Sequence, residues 1–276
     1  MKILTLNTHS IIEKNYEEKL VKFVEMIKEE LPDVFALQEV NQSMAMPETG
    51  DASAGGYIAC IDCEVTIRTD NHAYRVAEML HALGVEYQWT WVPAKVGYGI
   101  YDEGIAVFSK RTIEDICQFH ISKSEDYNNW KTRKMLGIYT NDMWFYSVHM
   151  GWWKDEEEPF AKQWDAVVKQ LKERTQTCFV MGDFNSPANK KQEGYEYVIQ
   201  SGWNDTWLMA KKKDEGITVG GNIDGWNDKA NQEEMRIDYI FCNKEILVES
   251  SEVVFNGKNY PIVSDHYGVV IEIDTR

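Results

Sequence analysis

Cys178-Phe179-Val180-Met181-Gly182-Asp183-Phe184-Asn185 is an apolar run that ends abruptly in Gly-Asp-Phe-Asn, with Ser186-Pro187 following. A run of this length bounded by Gly, Asn and Pro predicts a buried strand emptying into a loop. Asp183 and Asn185 are two residues apart, so an extended backbone would project both from one side. A carboxylate and a carboxamide at a buried strand end can orient a water, bind a metal or hydrogen-bond a phosphate. A turn in which both cap backbone groups accounts equally well for this stretch alone.

Other stretches end the same way. Residues 1–8 alternate as a strand and finish at Asn7-Thr8-His9. Residues 16–31 place Leu20, Phe23, Val24, Ile27 and Leu31 at helical spacing, and Pro32 stops that helix. Val34–Glu39 reads as a second buried strand ending in a carboxylate. Asp70-Asn71 predicts an N-cap for a helix running to about Leu83, ended by Gly84. Residues 86–92, 104–109, 134–140, 143–149, 236–242, 247–255 and 268–274 read as further strands, and 158–174 as an amphipathic helix. Many strands with helices interspersed but not strictly alternating predict an α/β protein with a mixed sheet, or two packed sheets, flanked by helices. With no repeat, linker or low-complexity block, residues 1–276 are expected to form a single domain.

Composition limits the function. The net charge is −16, from 45 acidic and 29 basic residues. The longest basic run, Lys211-Lys212-Lys213, is followed at once by Asp214-Glu215. Nucleic-acid binding needs clustered cations, so this balance disfavours it, although a small basic groove can coexist with an acidic exterior. No apolar segment has the length of a signal peptide or membrane span, and the five scattered cysteines fit reduced core thiols, so a cytoplasmic location is expected. Cys60 and Cys63 have C-x-x-C spacing, but no second pair completes a zinc site.

Collected together, the strand ends hold Asn7, Glu39, Glu103, His149, Asp183, Asn185, Asp238, Asp265 and His266. Each alone is adequately explained as a cap or turn residue. Together they are an inventory for metal-assisted hydrolysis, with oxygen donors for a hard divalent cation and histidines that titrate near neutrality.

The ordered set LNTH (6–9), LQEV (37–40), EGIAVFS (103–109), SVHMG (147–151), MGDFN (181–185), RIDYIF (236–241) and SDHYGV (264–269) resembles the endonuclease/exonuclease/phosphatase superfamily. The resemblance implies a four-layer α/β sandwich: two mixed β-sheets packed face to face, helices on both outer faces, and the site at one edge. It implies that Glu39 is the principal ligand of Mg²⁺ (with Mn²⁺ as the alternative ion), that Asn7 lies beside it and that Asp265 is a further ligand. His266 is similar to the general base, with Asp238 orienting its ring, and Asp183 to the residue positioning the attacking water. Asn185 matches a ligand of the phosphoryl oxygens. His149 matches a phosphate ligand or leaving-group acid, with Glu103 as its partner, and Arg133 a phosphate clamp. His9 stands where some members carry Asp.

The superfamily sets the reaction type; the loops select the substrate. Residues 41–70, directly after Glu39, are expected to form a specificity insertion at the site, and 41–67 contain no Lys or Arg. Trp152, Trp153 and Trp226 lie in polar loops rich in Asn, Asp and Gly. Such a mixture suits a sugar, whose apolar face stacks while amides and carboxylates take its hydroxyls, although bases stack on the same aromatics. The expected substrate is a small phosphorylated sugar, a disaccharide 6-phosphate such as maltose 6′-phosphate, with no membrane or protein partner implied. A DNA or RNA nuclease is the alternative, and a sphingomyelinase-type phosphodiesterase a third.

Overall fold

The structure, a computed structural model, describes residues 1–50, 55–61, 63–221, 223 and 234–275. In chain order the strands are β1 (Lys2–Asn7), β2 (Val34–Ser43), β3 (Gln88–Gly97), β4 (Tyr101–Ser109), β5 (Asp115–His120), β6 (Lys134–Thr140), β7 (Met143–His149), β8 (Thr177–Asp183), β9 (Asn204–Asp205), β10 (Lys212–Lys213), β11 (Asp238–Cys242), β12 (Val248–Val254) and β13 (Gly268–Ile273). The α-helices are α1 (Tyr16–Glu30), α2 (His72–Ala82), α3 (Phe160–Leu171), α4 (Gly194–Gln200) and α5 (Thr206–Met209). Strand β5 and helix α4 have no counterpart in the sequence reading. The half-buried strand β5 lacks the apolar run that betrays a buried strand, and α4 spans only seven residues.

One sheet has seven strands in the order β10-β12-β13-β1-β2-β4-β3, and the other six in the order β5-β6-β7-β8-β11-β9. Ile3, Ala36, Val107, Leu136, Phe145, Phe179, Met181 and Ile271 fill the space between them. Phe23, Val24 and Ile27 of α1 and Val76 and Leu80 of α2 pack on the outside of the first sheet, and Phe160, Trp164 and Val167 of α3 on the outside of the second. This is the expected four-layer α/β sandwich.

Each sheet contains a parallel pair joined through a helix, and the first sheet has a second, short one between β10 and β12. Strands β1 and β2 are joined through α1, and β7 and β8 through α3. Parallel neighbours need a crossover, and here the apolar stripe of the crossover helix covers the sheet. The arrangement brings the C-terminal ends of all four strands to one edge of the sandwich. Gln38 ties the sheets together there, donating to Ser147 Oγ at 2.9 Å, while Ser147 donates to the carbonyl of Leu37.

The segment after β2 departs from expectation. Among its described residues none lines the cleft discussed below. Its 55–58 portion instead runs along the open side of β3, where Ile58 N donates to Trp89 O and Trp89 N to Gly56 O. It therefore covers an edge strand whose backbone groups would otherwise be unpaired. Among the described residues no helix is long and apolar enough to cross a membrane, and none of the five cysteines is in a disulfide.

His72, at the start of α2, is enclosed by Tyr16 and Phe23; its Nδ1 meets Tyr16 Oη at 2.9 Å and its Nε2 has no partner. Burial, reinforced by the charge of Arg75, pushes its pKa down to about 3. Below the ordinary value of 6.5 the unfolded chain takes up a proton that the folded chain refuses, so stability falls as pH drops from 6.5 towards 3. Urea unfolding between pH 6.5 and 5 is expected to show about 2 kcal/mol less acid destabilisation in His72→Phe than in wild type. Equal losses in the two proteins would refute this assignment.

Candidate active site

Local backbone geometry aims the side chains at the sandwich edge. The β2–β4 register shifts between Leu37 and Val40, and within this bulge Glu39 has φ 51°. A bulge re-aims a side chain, here turning Glu39 towards Asn7 at the end of β1. In β8, Gly182 has φ 144°, and a Cβ there would lie 2.0 Å from the carbonyl oxygen of Val148; only glycine permits this approach of β7 and β8. Asp183 then sits opposite His149 in the parallel register and opposite Asp238 in the antiparallel one. Asp183 and Asn185 do not share a side by strand alternation, as the sequence suggested. The strand ends at Asp183, Asn185 turns left-handed (φ 45°), and its N–H donates to Asp183 Oδ1 at 2.8 Å. The pair converges through an Asx turn.

The convergent groups form one network. Asn7 Nδ2 donates to Glu39 Oε1 at 2.9 Å and to Asp183 Oδ2 at 3.1 Å. Asp183 Oδ2 also lies 3.6 Å from His149 Nε2 and 3.7 Å from His266 Nε2. Asp238 holds the other side of the His266 ring, with its oxygens 3.0 and 3.2 Å from Nδ1. Asn185 donates to the carbonyl of Met150 at 2.9 Å and faces His149 Nε2 at 3.2 Å. Asp265 joins from the loop before β13, its Oδ1 lying 3.8 Å from His9 Nδ1. His9 itself pairs with Glu13 at 2.8 Å.

The two histidines are driven in opposite directions. Burial works against a charged His266, but Asp238 and Asp183 outweigh it and hold its pKa well above the ordinary range. Burial, then Arg133 and Lys95, hold His149 well below it. Burial and the charge of Asp238 raise Asp183, whereas His266 works to lower it. Burial raises Glu39 as well, and Glu103 adds to the effect. A proton is thus held within the Asp183–His266 pair, and its position is a property of both groups.

Glu39, His149, Asp183, Asn185, Asp265 and His266 line a cleft of about 290 Å³, with Lys95, Gly97, Tyr98, Trp130, Trp152 and Ile223 among its other walls. Arg133 also lines it: it is 4 % exposed, bonds to the carbonyls of Trp130 and Thr132, and leaves Nε without a partner. Glu103 has a different role from the one expected. It pairs with Lys95, 3.0 Å from Nζ, and not with His149, because the two strands carrying Lys95 and Glu103 are hydrogen-bonded neighbours. Trp152 reaches the cleft, but Trp153 turns the other way and packs on Phe160 and Tyr197 in the helical layer. Trp226 lies outside the described residues. The acidic run after Trp153 is a brace for the rim: Asp155 pairs with Lys131, and Glu158 accepts from the backbone N–H groups of Lys123 and Ser124.

Lys95, Trp130 and Tyr98 escaped the sequence reading. Trp130 and Tyr98 are 52 % and 59 % exposed and stand in turns without periodicity. Trp130 meets Trp152 with ring centroids 5.8 Å apart at 57°.

A model of the endonuclease/exonuclease/phosphatase family matches residues 4–266. The chain belongs to this family. A family protein from Leptotrichia buccalis is 34% identical over 99% of both chains, with a TM-score of 0.86. A mannosyl-6-phosphatase from Bacteroides thetaiotaomicron is 15% identical over 99% of both chains (TM-score 0.67). A 3′ phosphatase from Neisseria, bound to a product DNA hairpin, is 16% identical over 99% of both chains (TM-score 0.64). No curated protein matches in sequence. Members of the family are phosphoester hydrolases and generally depend on a divalent metal.

The residues present fit such an ion. Ligand atoms of Glu39, His149 and Asp183 lie within 4.8 Å of one another, as do those of His9, Glu13 and Asp265. Glu39 is raised by burial and by Glu103 and Asp265, and Asp183 by burial and Asp238; carboxyl groups raised in this way mark a place that a cation would stabilise. Asn7 presents its amide N–H groups to those carboxylates, so ligation through Oδ1 would require the amide to turn over.

Proposed function

We propose that this chain is a magnesium-dependent phosphatase that releases phosphate from a small phosphorylated sugar, with a disaccharide 6-phosphate such as maltose 6′-phosphate as first candidate. The observation that carries this reading is the cleft: about 290 Å³, near the lower end of the small-ligand range, cationic at Arg133 and Lys95 inside and walled by Trp130 and Trp152 at the mouth. An aromatic pair above a phosphate site suits a sugar ring. The sugar-phosphate phosphatase among the structural relatives supports the same choice.

Glu39 and Asp265, with Asn7 after an amide turn, would hold the ion, which supplies positive charge against the developing charge on the phosphoryl group. The protein side chains do the rest. Arg133, with an unpartnered Nε, binds a phosphoryl oxygen. The Asp183–His266 pair accepts the proton of the attacking water, and Asp238 keeps Nε2 of the ring turned inward. His149, held neutral, serves as a hydrogen-bonding phosphate ligand rather than an acid, and Asn185 orients it.

The test is a panel of phosphorylated mono- and disaccharides, nucleotides, plasmid DNA and sphingomyelin with Mg²⁺, scored for phosphate release and strand cleavage. Turnover is expected for sugar phosphates. Efficient plasmid nicking without phosphate release from any sugar phosphate would overturn the reading.

A further inference from the structure

We infer that Lys95 is a second phosphate-binding cation, set beside Arg133, that makes this cleft select phosphomonoesters over phosphodiesters. The inference rests on the phosphoesterase site proposed above and adds the residue that sets its ester class.

Lys95 lies in a strand, where alternation would lead one to expect a solvated lysine. The β3–β4 register shifts between Pro93 and Lys95, and this bulge accompanies a side chain turned into the cleft. There Lys95 is 7 % exposed, its ammonium 3.0 Å from Glu103 Oε1. Gly97 makes room for the partner, since a Cβ on it would lie 2.8 Å from Glu103 Oε2. An ammonium has three donors, and Glu103 takes one. A buried ion pair is weak evidence for stability, because desolvation can exceed the attraction. Placing this pair next to Arg133, whose Nε is buried and unpartnered, adds repulsion between two cations. An anion with more than one charged oxygen removes that repulsion.

A phosphomonoester is such an anion, carrying about two negative charges at neutral pH, since its second pKa is about 6. A diester carries one and has a substituent on a further oxygen. Behind Lys95, Arg133 and His149 the structure leaves only about 10 Å³, bounded by Gly104, Ile105 and Thr132. That is room for one water. A phosphoryl oxygen seated in that small space could carry no second ester group.

The test compares wild type with Lys95→Met and with the double variant Lys95→Met/Glu103→Gln, in Mg²⁺. It measures p-nitrophenyl phosphate against bis(p-nitrophenyl) phosphate, inhibition by inorganic phosphate, and thermal unfolding. The single variant strands a buried carboxylate and is expected to lose stability; the double variant removes both charges and is expected to regain it. Monoester kcat/KM and phosphate affinity are expected to stay roughly 10–100-fold low in the double variant, the range of a charge-assisted hydrogen bond. Diester hydrolysis should change much less. Recovery of monoester preference along with stability would overturn the role of Lys95 and leave the phosphatase reading intact. A wild-type protein that cleaves diesters only would overturn both.

Discussion

His266→Asn is expected to lower kcat by about 10³-fold, within the span of lost acid–base catalysis, while KM changes little. The ring is held from both sides, by the two oxygens of Asp238 at Nδ1 and by Asp183 Oδ2 at 3.7 Å from Nε2. Asparagine keeps polarity and approximate bulk but cannot share a proton with Asp183, so the pair that accepts the proton of the attacking water is lost. The pH profile is the sharper readout. Burial and Asp238 raise the Asp183 carboxyl to about 7, so proton-accepting capacity grows as pH rises through neutrality. A bound divalent cation favours the ionised carboxylate, which puts the acid limb of kcat at or below that value. In His266→Asn that limb should move, because the group coupled to Asp183 has gone. Turnover near wild type, or an unmoved limb, would remove His266 from the proton-transfer role.

Glu39→Gln is expected to cost about 10²–10³ in turnover at low Mg²⁺, comparable to losing a preorganised electrostatic group, and to abolish stabilisation by the ion. Its second readout is independent of activity. Glu39 is a half-buried carboxylate whose neighbours include Glu103 and Asp265, in a left-handed bulge conformation. In metal-free buffer the isosteric amide removes like-charge repulsion, so the variant should melt no lower than wild type. Added Mg²⁺ should raise the wild-type Tm by preferential binding to the folded state and leave the variant unmoved. A variant that melts higher with Mg²⁺ to the wild-type extent would take the principal ligand role away from Glu39.

The legible and illegible parts of the site differ for a physical reason. Asn7, His149, Asp183 and Asp238 terminate or begin strands, and Glu39 closes the apolar run Val34–Leu37 at a bulge inside β2; these apolar runs are visible in one dimension. A polar residue at such a boundary stands out because burial of the run fixes where the boundary falls. Lys95 shows no such boundary. It sits inside β3, and a pairing irregularity with β4, a relation between two strands, accompanies its turn inward. Glu103, expected to partner His149, lines the cleft but faces Lys95 across a ladder, which sequence order does not reveal. Trp153 and Trp152 are adjacent and chemically identical, yet one joins the helical layer and the other the cleft. Within 41–70, expected as a specificity insertion at the site because it follows Glu39, residues 55–58 cover the edge of β3.

Taken alone, the sequence determined the succession of buried strands and amphipathic helices, the polar groups at strand ends and the family they spell out. Those are properties of local periodicity, of chain breaks at Gly and Pro, and of residue type. Tertiary structure decided what each group faces. The two parallel crossovers bring four strand ends to one edge, the left-handed turn at Asn185 converges it with Asp183, and the β3 irregularity places Lys95 beside Arg133. Opposite pKa shifts on His149 and His266 follow from those placements, because burial and neighbouring charge act through distance in space.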